Sequence, residues 1–201
     1  MARAVCSCPV ECVTQAQIER ISAQSTPEGV LAVCEIPQWG EPDFSPGRVV
    51  LALDGVRDPG NLGTIVRTAD WFGVRDVVCS PDTVDLYNPK TVQATMGSIA
   101  RVRVHYRDLP ALLADCPLPV YGTFLEGDDV FRAGCAAEGV IVIGNEANGI
   151  SAAVARVVGR RLTIPRFAGA QGPESLNAAI AAAIVTAQLC AGSRGGENAG
   201  K

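Results

Sequence analysis

Lysine is nearly missing from this chain of 201 residues: it occurs only at Lys90 and Lys201, so arginine supplies almost all of the 17 basic positions. Arginine is the better bidentate partner for phosphate. We nonetheless read the bias first as the codon usage of a GC-rich genome. Histidine is limited to His105, far along the chain from the clustered Cys6, Cys8 and Cys12. Those three cysteines lack the paired CxxC spacing of a zinc site, so no metal is expected. No apolar run approaches the ~18 residues needed to span a bilayer. The opening MARAVCSCPVEC lacks the basic-then-apolar order of a secretory signal. A cytoplasmic protein with no membrane partner is therefore expected. Neither a GxGxxG after the first apolar run nor a phosphate-binding P-loop is found, which disfavours the common dinucleotide and nucleotide fingerprints. No internal repeat is visible.

A hydrophobic content of 48% with 19% charged residues is that of a globular domain, large enough for a proper core. The net charge of −4 argues against a strongly basic, nucleic-acid-coated surface. Eight cysteines are present, several inside apolar stretches such as DVVCS and LAVCEI. That is the setting of buried free thiols in a reducing compartment.

Residues 1–46 differ from the rest of the chain. Val13 to Ala23 has the spacing of a short amphipathic helix, 29–37 (GVLAVCEIP) reads as a strand, and PQWGEPDFSPG is a Pro/Gly-rich linker. From Arg48 onward short apolar runs alternate with helical segments. The runs are 49–54, 76–80, 101–106, 119–124, 139–144 and 161–165. Near-continuous apolar strands separated by helices indicate an α/β fold with a mostly parallel sheet and helices on both faces. In the last helix Leu176, Ile180, Ala183, Ile184 and Ala187 recur at helical spacing and are expected to be buried.

Three blocks carry the chemistry. In DPGNLGTIVRTADWFGV, Asn61 is placed to cap a helix, and Arg67 lies six residues further on, in a stretch that otherwise reads as packed. GVIVIGNEANGIS ends a strand with Gly144, Asn145, Glu146 and Gly149; its glycines permit close backbone approach and positive φ. In TIPRFAGAQGPESLNAAIAAAI, Ile164 and Pro165 end a strand, a flexible loop follows, and Ser175, Leu176 and Asn177 open a helix with Ser175 as cap. Strand carboxyl ends are where open α/β sheets hold ligands.

In this order and spacing the blocks resemble the SpoU (TrmH-like) RNA 2′-O-methyltransferases of the SPOUT superfamily, over about residues 48–190. The resemblance implies a carboxyl-terminal trefoil knot that forms an S-adenosylmethionine pocket, although connections in general avoid knots. It implies a homodimer with the active site at its interface, and rRNA or tRNA as substrate. It also implies 1–46 as the remnant of an amino-terminal RNA-binding domain plus linker and 47–192 as the methyltransferase domain, while the Gly-rich, polar 193–201 reads by itself as a disordered tail. Relatives often carry a full RNA-binding domain at the amino end, and QIERISAQSTPEGVLAVCEIP resembles only its end.

Carried over by position, the catalytic set is Asn61, Arg67, Glu146, Ser175 and Asn177. The cofactor-binding set is Thr123, Gly144, Asn145, Glu146, Gly149, Ile164, Pro165, Ser175, Leu176 and Asn177. Arg67 is the residue the family offers for activating the ribose hydroxyl. An arginine side chain stays protonated at neutral pH, so an electrostatic or phosphate-assisted role fits better than a literal proton acceptor. The alternative reading is a catalytically silent RNA-binding or assembly protein on the same fold.

Overall fold

The computed structural model describes residues 9–22, 24, 26–167 and 174–194. The chain divides into two compact units, Met1–Gln38 and Trp39–Lys201. Cys6 and Cys8 lie outside the described residues, as do 168–173 of the loop read as flexible, and 195–201 of the expected tail.

The first unit holds helix α1 (Gln15–Ile21), opened by a reciprocal cap. The Thr14 hydroxyl accepts from the Gln17 N–H at 3.3 Å, and the Gln17 side-chain oxygen accepts from the Thr14 N–H at 2.8 Å. The helix read over 13–23 is thus present; Ala23 itself is not described. The strand expected over 29–37 does not form, and Val30 and Val33 are largely exposed. Alternating apolar residues form a strand only against a neighbour that completes the ladder, and the described residues of this unit provide none.

The second unit runs β1 (Val49–Asp54), α2 (Pro59–Trp71), β2 (Asp76–Cys79), α3 (Pro89–Thr95), a 3-10 turn (Ser98–Ala100) and β3 (Arg103–Tyr106). It continues with α4 (Leu109–Ala114), β4 (Val120–Asp129), β5 (Gly139–Gly144), α5 (Ala152–Ala155), β6 (Arg160–Thr163) and α6 (Ala178–Arg194). All six strands pair in parallel, in the order β3-β2-β1-β5-β4-β6. The α/β reading holds, with three adjustments. β4 runs past 124 to Asp129 through an irregularity between Thr123 and Asp128. The helical segment between β5 and β6 is short, α5 covering only Ala152–Ala155. α6 continues through Arg194, two residues into the segment assigned to the tail.

Strand side chains alternate between two cores, as the period of two requires. Leu51, Leu53, Ile141 and Ile143 face the layer of α2 and α6, joined there by Leu62, Ile65, Ala182 and Val185. Val50, Ala52, Val140 and Val142 face α4 and α5, meeting Leu109, Leu113 and Val154. α6 does not bury the face expected of it: Ala178, Ala179, Ala182, Val185 and Leu189 are buried, while Leu176 and Ile180 are 46% and 53% exposed. A helix this uniformly apolar carries no periodic signal to show which side meets the sheet.

β1 and β5 lie side by side, with Asp54 opposite Gly144. The chain leaves β1 toward β2 on one side, and leaves β5 toward α5 and β6 on the other. Such a reversal opens a crevice beyond the strand carboxyl ends. The loops after these two strands meet there.

Candidate functional site

The loop after β1 ends in Asp58-Pro59, and this pair starts α2. The Asp58 carboxylate accepts from the Asn61 N–H at 2.8 Å, and Pro59 occupies the first helical position, where a missing N–H costs nothing. Asn61 is therefore not the cap. Asp-Pro ahead of an apolar helical stretch was the signal that could have identified it. Released from capping, the Asn61 side chain bridges the other two blocks. Its Nδ2 donates to Glu146 Oε1 at 2.8 Å, and its Oδ1 accepts from Asn177 Nδ2 at 2.8 Å.

Glu146 sits in a tight turn closed by mutual backbone hydrogen bonds between Asn145 and Gly149, each at 2.9 Å. Gly149 takes φ +67°, the left-handed region where glycine is unstrained. At Gly144 a side chain would run into the backbone of Gly149 and Ile150, so the turn folds directly over the strand end. Besides Asn61, the Glu146 carboxylate faces the backbone N–H groups of Arg57 and Asp58, both at 3.4 Å. Partial burial would by itself raise its pKa. The hydrogen bonds from Asn61 and from backbone N–H groups outweigh that effect and hold it below the ordinary value of 4.5.

Asn177, not Ser175, caps α6. Its Oδ1 accepts from the N–H groups of Ala179 and Ile180 at 2.9 and 3.2 Å. Ser175 is exposed and makes no hydrogen bond to the described residues. Asparagine caps as well as serine does, so the helix starts two residues later than expected. Of the expected catalytic set, the structure brings Asn61, Glu146 and Asn177 together.

Arg67 stands apart. Six residues along α2 it lies about 240° around the axis from Asn61. Leu62, Ile65, Val66 and Ala69 face the sheet, whereas Thr64, Arg67 and Trp71 are exposed on the opposite side. The helix is packed as expected, but Arg67 is on its open face, with no ion pair or hydrogen bond to the described residues.

Of the expected cofactor positions, Gly144 ends β5, Ile164 directly follows β6, and Thr123 lies inside β4, opposite Leu162 of β6, where the register of that pair shifts. The Thr123 hydroxyl donates to the Val142 carbonyl at 2.9 Å. Ile164 and Pro165 are half-buried, and Leu176 is exposed beside the α6 cap. These positions offer mainly backbone N–H and C=O groups. They are suited to a ligand bearing an adenine, a ribose and an amino-acid end, each of which both donates and accepts. A cavity of about 400 Å³ lies elsewhere, at the amino ends of β1 and β2, lined by Arg48, Trp71, Arg75 and Asp76. His105 is also remote: its Nε2 pairs with Asp76 at 2.8 Å in the sheet interior.

Sequence reasoning passed over three residues that hold the crevice. Asp58 caps α2. The buried Asp54 carboxylate accepts from the Ser151 N–H at 2.6 Å. Ser80, also buried, meets the Gly55 N–H at 2.8 Å.

Comparison with known proteins agrees with this layout. Residues 48–187 match the model of the SpoU rRNA Methylase family. The 23S rRNA (guanosine(2553)-2′-O)-methyltransferase RlmP of Bacillus subtilis is 36% identical over 173 residues, covering 84% of this chain and 67% of that protein. A TrmH-family protein from Porphyromonas gingivalis superposes with TM-score 0.80 at 42% identity, covering 90% of this chain and 73% of that one. An rRNA methyltransferase from Sinorhizobium meliloti, solved with AdoMet bound, gives TM-score 0.65 at 35% identity, covering 71% and 56%. The chain spans about two thirds or less of the length of the curated relatives it matches. With three sequence blocks converging on one crevice and the family match running through all of them, the chain belongs to the SpoU rRNA methylase family.

Proposed function

We propose that this chain transfers a methyl group from S-adenosylmethionine to a ribose 2′-hydroxyl of ribosomal or transfer RNA, acting as a homodimer. The observation that carries the reading is the junction at Asn61, which ties Glu146 and Asn177 together beside the strand ends. An enzyme is favoured over a silent binding module by relatives whose names are those of RNA 2′-O-methyltransferases. RlmP, by its name, methylates a guanosine 2′-oxygen in 23S rRNA, and a ribosomal substrate is the corresponding proposal here.

Backbone at Thr123, Gly144, Gly149, Ile164 and Leu176 would hold the cofactor, with Asn145, Pro165 and Ser175 shaping its walls. The cofactor supplies an electrophilic methyl group on a positively charged sulfur. The 2′-oxygen must shed its proton as it attacks, and negative charge develops there. Arg67 would stabilise that charge, alone or with a substrate phosphate that takes the proton. Glu146 and Asn177, fixed through Asn61, would keep the pocket and the RNA in register. A carboxyl-terminal trefoil knot belongs to this proposal, as does an RNA-binding role for residues 1–46.

What the outer layer leaves uncovered supports the homodimer. Ile180 is half-exposed and Trp71, on the adjoining helix, is 84% exposed. A helix that is apolar all round is ordinarily covered on all sides. Arg67 makes no contact with Glu146 in its own chain and shares the exposed face of α2 with Trp71, so in this reading a second copy covers this surface and Arg67 serves its partner's crevice.

Mapping 2′-O-methyl positions in total RNA with and without the gene tests the activity: loss of one position is expected, and an unchanged map would contradict it. Light scattering should give twice the 20.9 kDa chain mass. A mass of one chain throughout the micromolar range would remove the dimer.

A further inference from the structure

Both side-chain polar atoms of Asn145 are engaged within the protein. Its Oδ1 accepts from the N–H groups of Ala147 and Asn148 at 2.9 and 3.0 Å, which shapes the turn carrying Glu146. Its Nδ2 crosses to the neighbouring loop and donates to the Gly55 carbonyl at 2.6 Å. The other side of that glycine is held as well, since its N–H donates to Ser80 Oγ at 2.8 Å. Ser80 Oγ in turn donates to Asp82 at 2.7 Å. Gly55 takes φ +71°, and a Cβ there would stand 3.1 Å from the Asp82 carboxylate. The residue following β1 is therefore clamped from two directions in a conformation that side-chain-bearing residues avoid. Two and three residues later come the Arg57 and Asp58 N–H groups that face Glu146.

We infer that Asn145 and Ser80 are positioning residues for the methyl-transfer site: they clamp Gly55, and through it they fix where the Glu146 carboxylate sits. The inference rests on the methyltransferase reading for its kinetic consequence, though not for its structural one. Asn145 acts at both ends, forming the turn that carries Glu146 and docking that turn on the loop that receives it. Ser80 acts only at the receiving loop.

The deciding variant is Asn145→Asp. It keeps the oxygen that accepts from Ala147 and Asn148, but it loses the donor to Gly55. Asn145→Ala loses both, and Ser80→Ala loses the second clamp. In the full-length chain, Asn145→Asp and Ser80→Ala should each lower kcat by about 10–10²-fold, the scale of a displaced catalytic group. KM for RNA and the dissociation constant for S-adenosylmethionine should stay within about threefold. The double variant should lose less than the product of the two single losses, because both act through one residue. Amide exchange in 55–61 should quicken in both single variants while global melting is retained. Turnover and exchange like the wild type in Asn145→Asp would overturn the inference. So would weakened cofactor binding with kcat retained, which would make Asn145 a cofactor ligand. If the wild type itself transfers no methyl group, the methyltransferase reading fails, and the exchange in 55–61 still decides whether the clamp exists.

Discussion

The side-chain amide of Asn177 donates to the side-chain oxygen of Asn61 across 2.8 Å, joining the start of the last helix to the first turn of α2. Only one orientation satisfies every partner. Asn177 Oδ1 is occupied by the Ala179 and Ile180 N–H groups, so its Nδ2 faces Asn61. Asn61 must then present oxygen to Asn177 and nitrogen to Glu146. The capping of α6 thus sets the hydrogen bond that Glu146 receives.

Asn177→Asp tests that relay. Aspartate caps a helix as well as asparagine does, so α6 should survive with a stability loss below about 1 kcal/mol. A carboxylate beside Asn61 turns the Asn61 amide over, and its oxygen then meets Glu146. Methyl transfer should fall about 10²-fold, as for a misplaced catalytic group. Asn177→Ala should in addition lose about 1 kcal/mol of cap stability in urea unfolding. Wild-type turnover in Asn177→Asp would remove the relay from the mechanism.

Glu146 carries a pH signature. Its pKa in the folded chain lies below the ordinary 4.5, so its hydrogen bonds contribute stability that is fully present above that value. The contribution is lost as pH falls through the lowered folded-state value. Below about pH 4.5 the wild type should lose stability more steeply than Glu146→Gln, whose side chain does not titrate. Melting temperatures measured from neutral pH downward check this; parallel curves would show that the carboxylate is not held as described.

Gly63 reverses a general expectation. Glycine to alanine inside a helix ordinarily gains up to about 1 kcal/mol. Here a Cβ would stand 2.5 Å from the Ala94 side chain and 2.7 Å from the Thr91 carbonyl, where α3 packs on α2. Overpacking of this kind costs about 1–3 kcal/mol, so Gly63→Ala should be destabilising. A raised urea midpoint would show that α3 moves aside freely.

The sheet was legible in the sequence because β1 and β5 are apolar on both faces and end sharply at Asp54 and Gly144. The three site blocks were legible from their spacing. What escaped was the choice among equivalent local solutions. Asp58 and Asn61 are both good caps, as are Ser175 and Asn177, and only tertiary hydrogen bonds decide between them. The buried side of α6 escaped because alanine and isoleucine surround the helix. The orientation of Arg67 was readable in principle from the 3.6-residue period, since Leu62, Ile65, Val66 and Ala69 mark the opposite face.

If Arg67 of one subunit completes the crevice of the other, mixing two inactive variants restores activity. Tritiated methyl transfer from S-adenosylmethionine to RNA from a strain lacking the gene is measured for Arg67→Ala, for Glu146→Ala, and for the two mixed after dissociation and reassociation. Arg67→Ala alone should lose about 10²–10³-fold, the cost of one group that stabilises developing charge, and Glu146→Ala alone about 10²-fold, as for a misplaced reacting group. Random re-pairing leaves half the dimers mixed, each with one intact site, so activity should return to about a quarter of the wild type. A mixture as inactive as its parts would contradict an Arg67 contributed across the dimer. Near-normal turnover by Arg67→Ala would make Arg67 an ordinary surface residue.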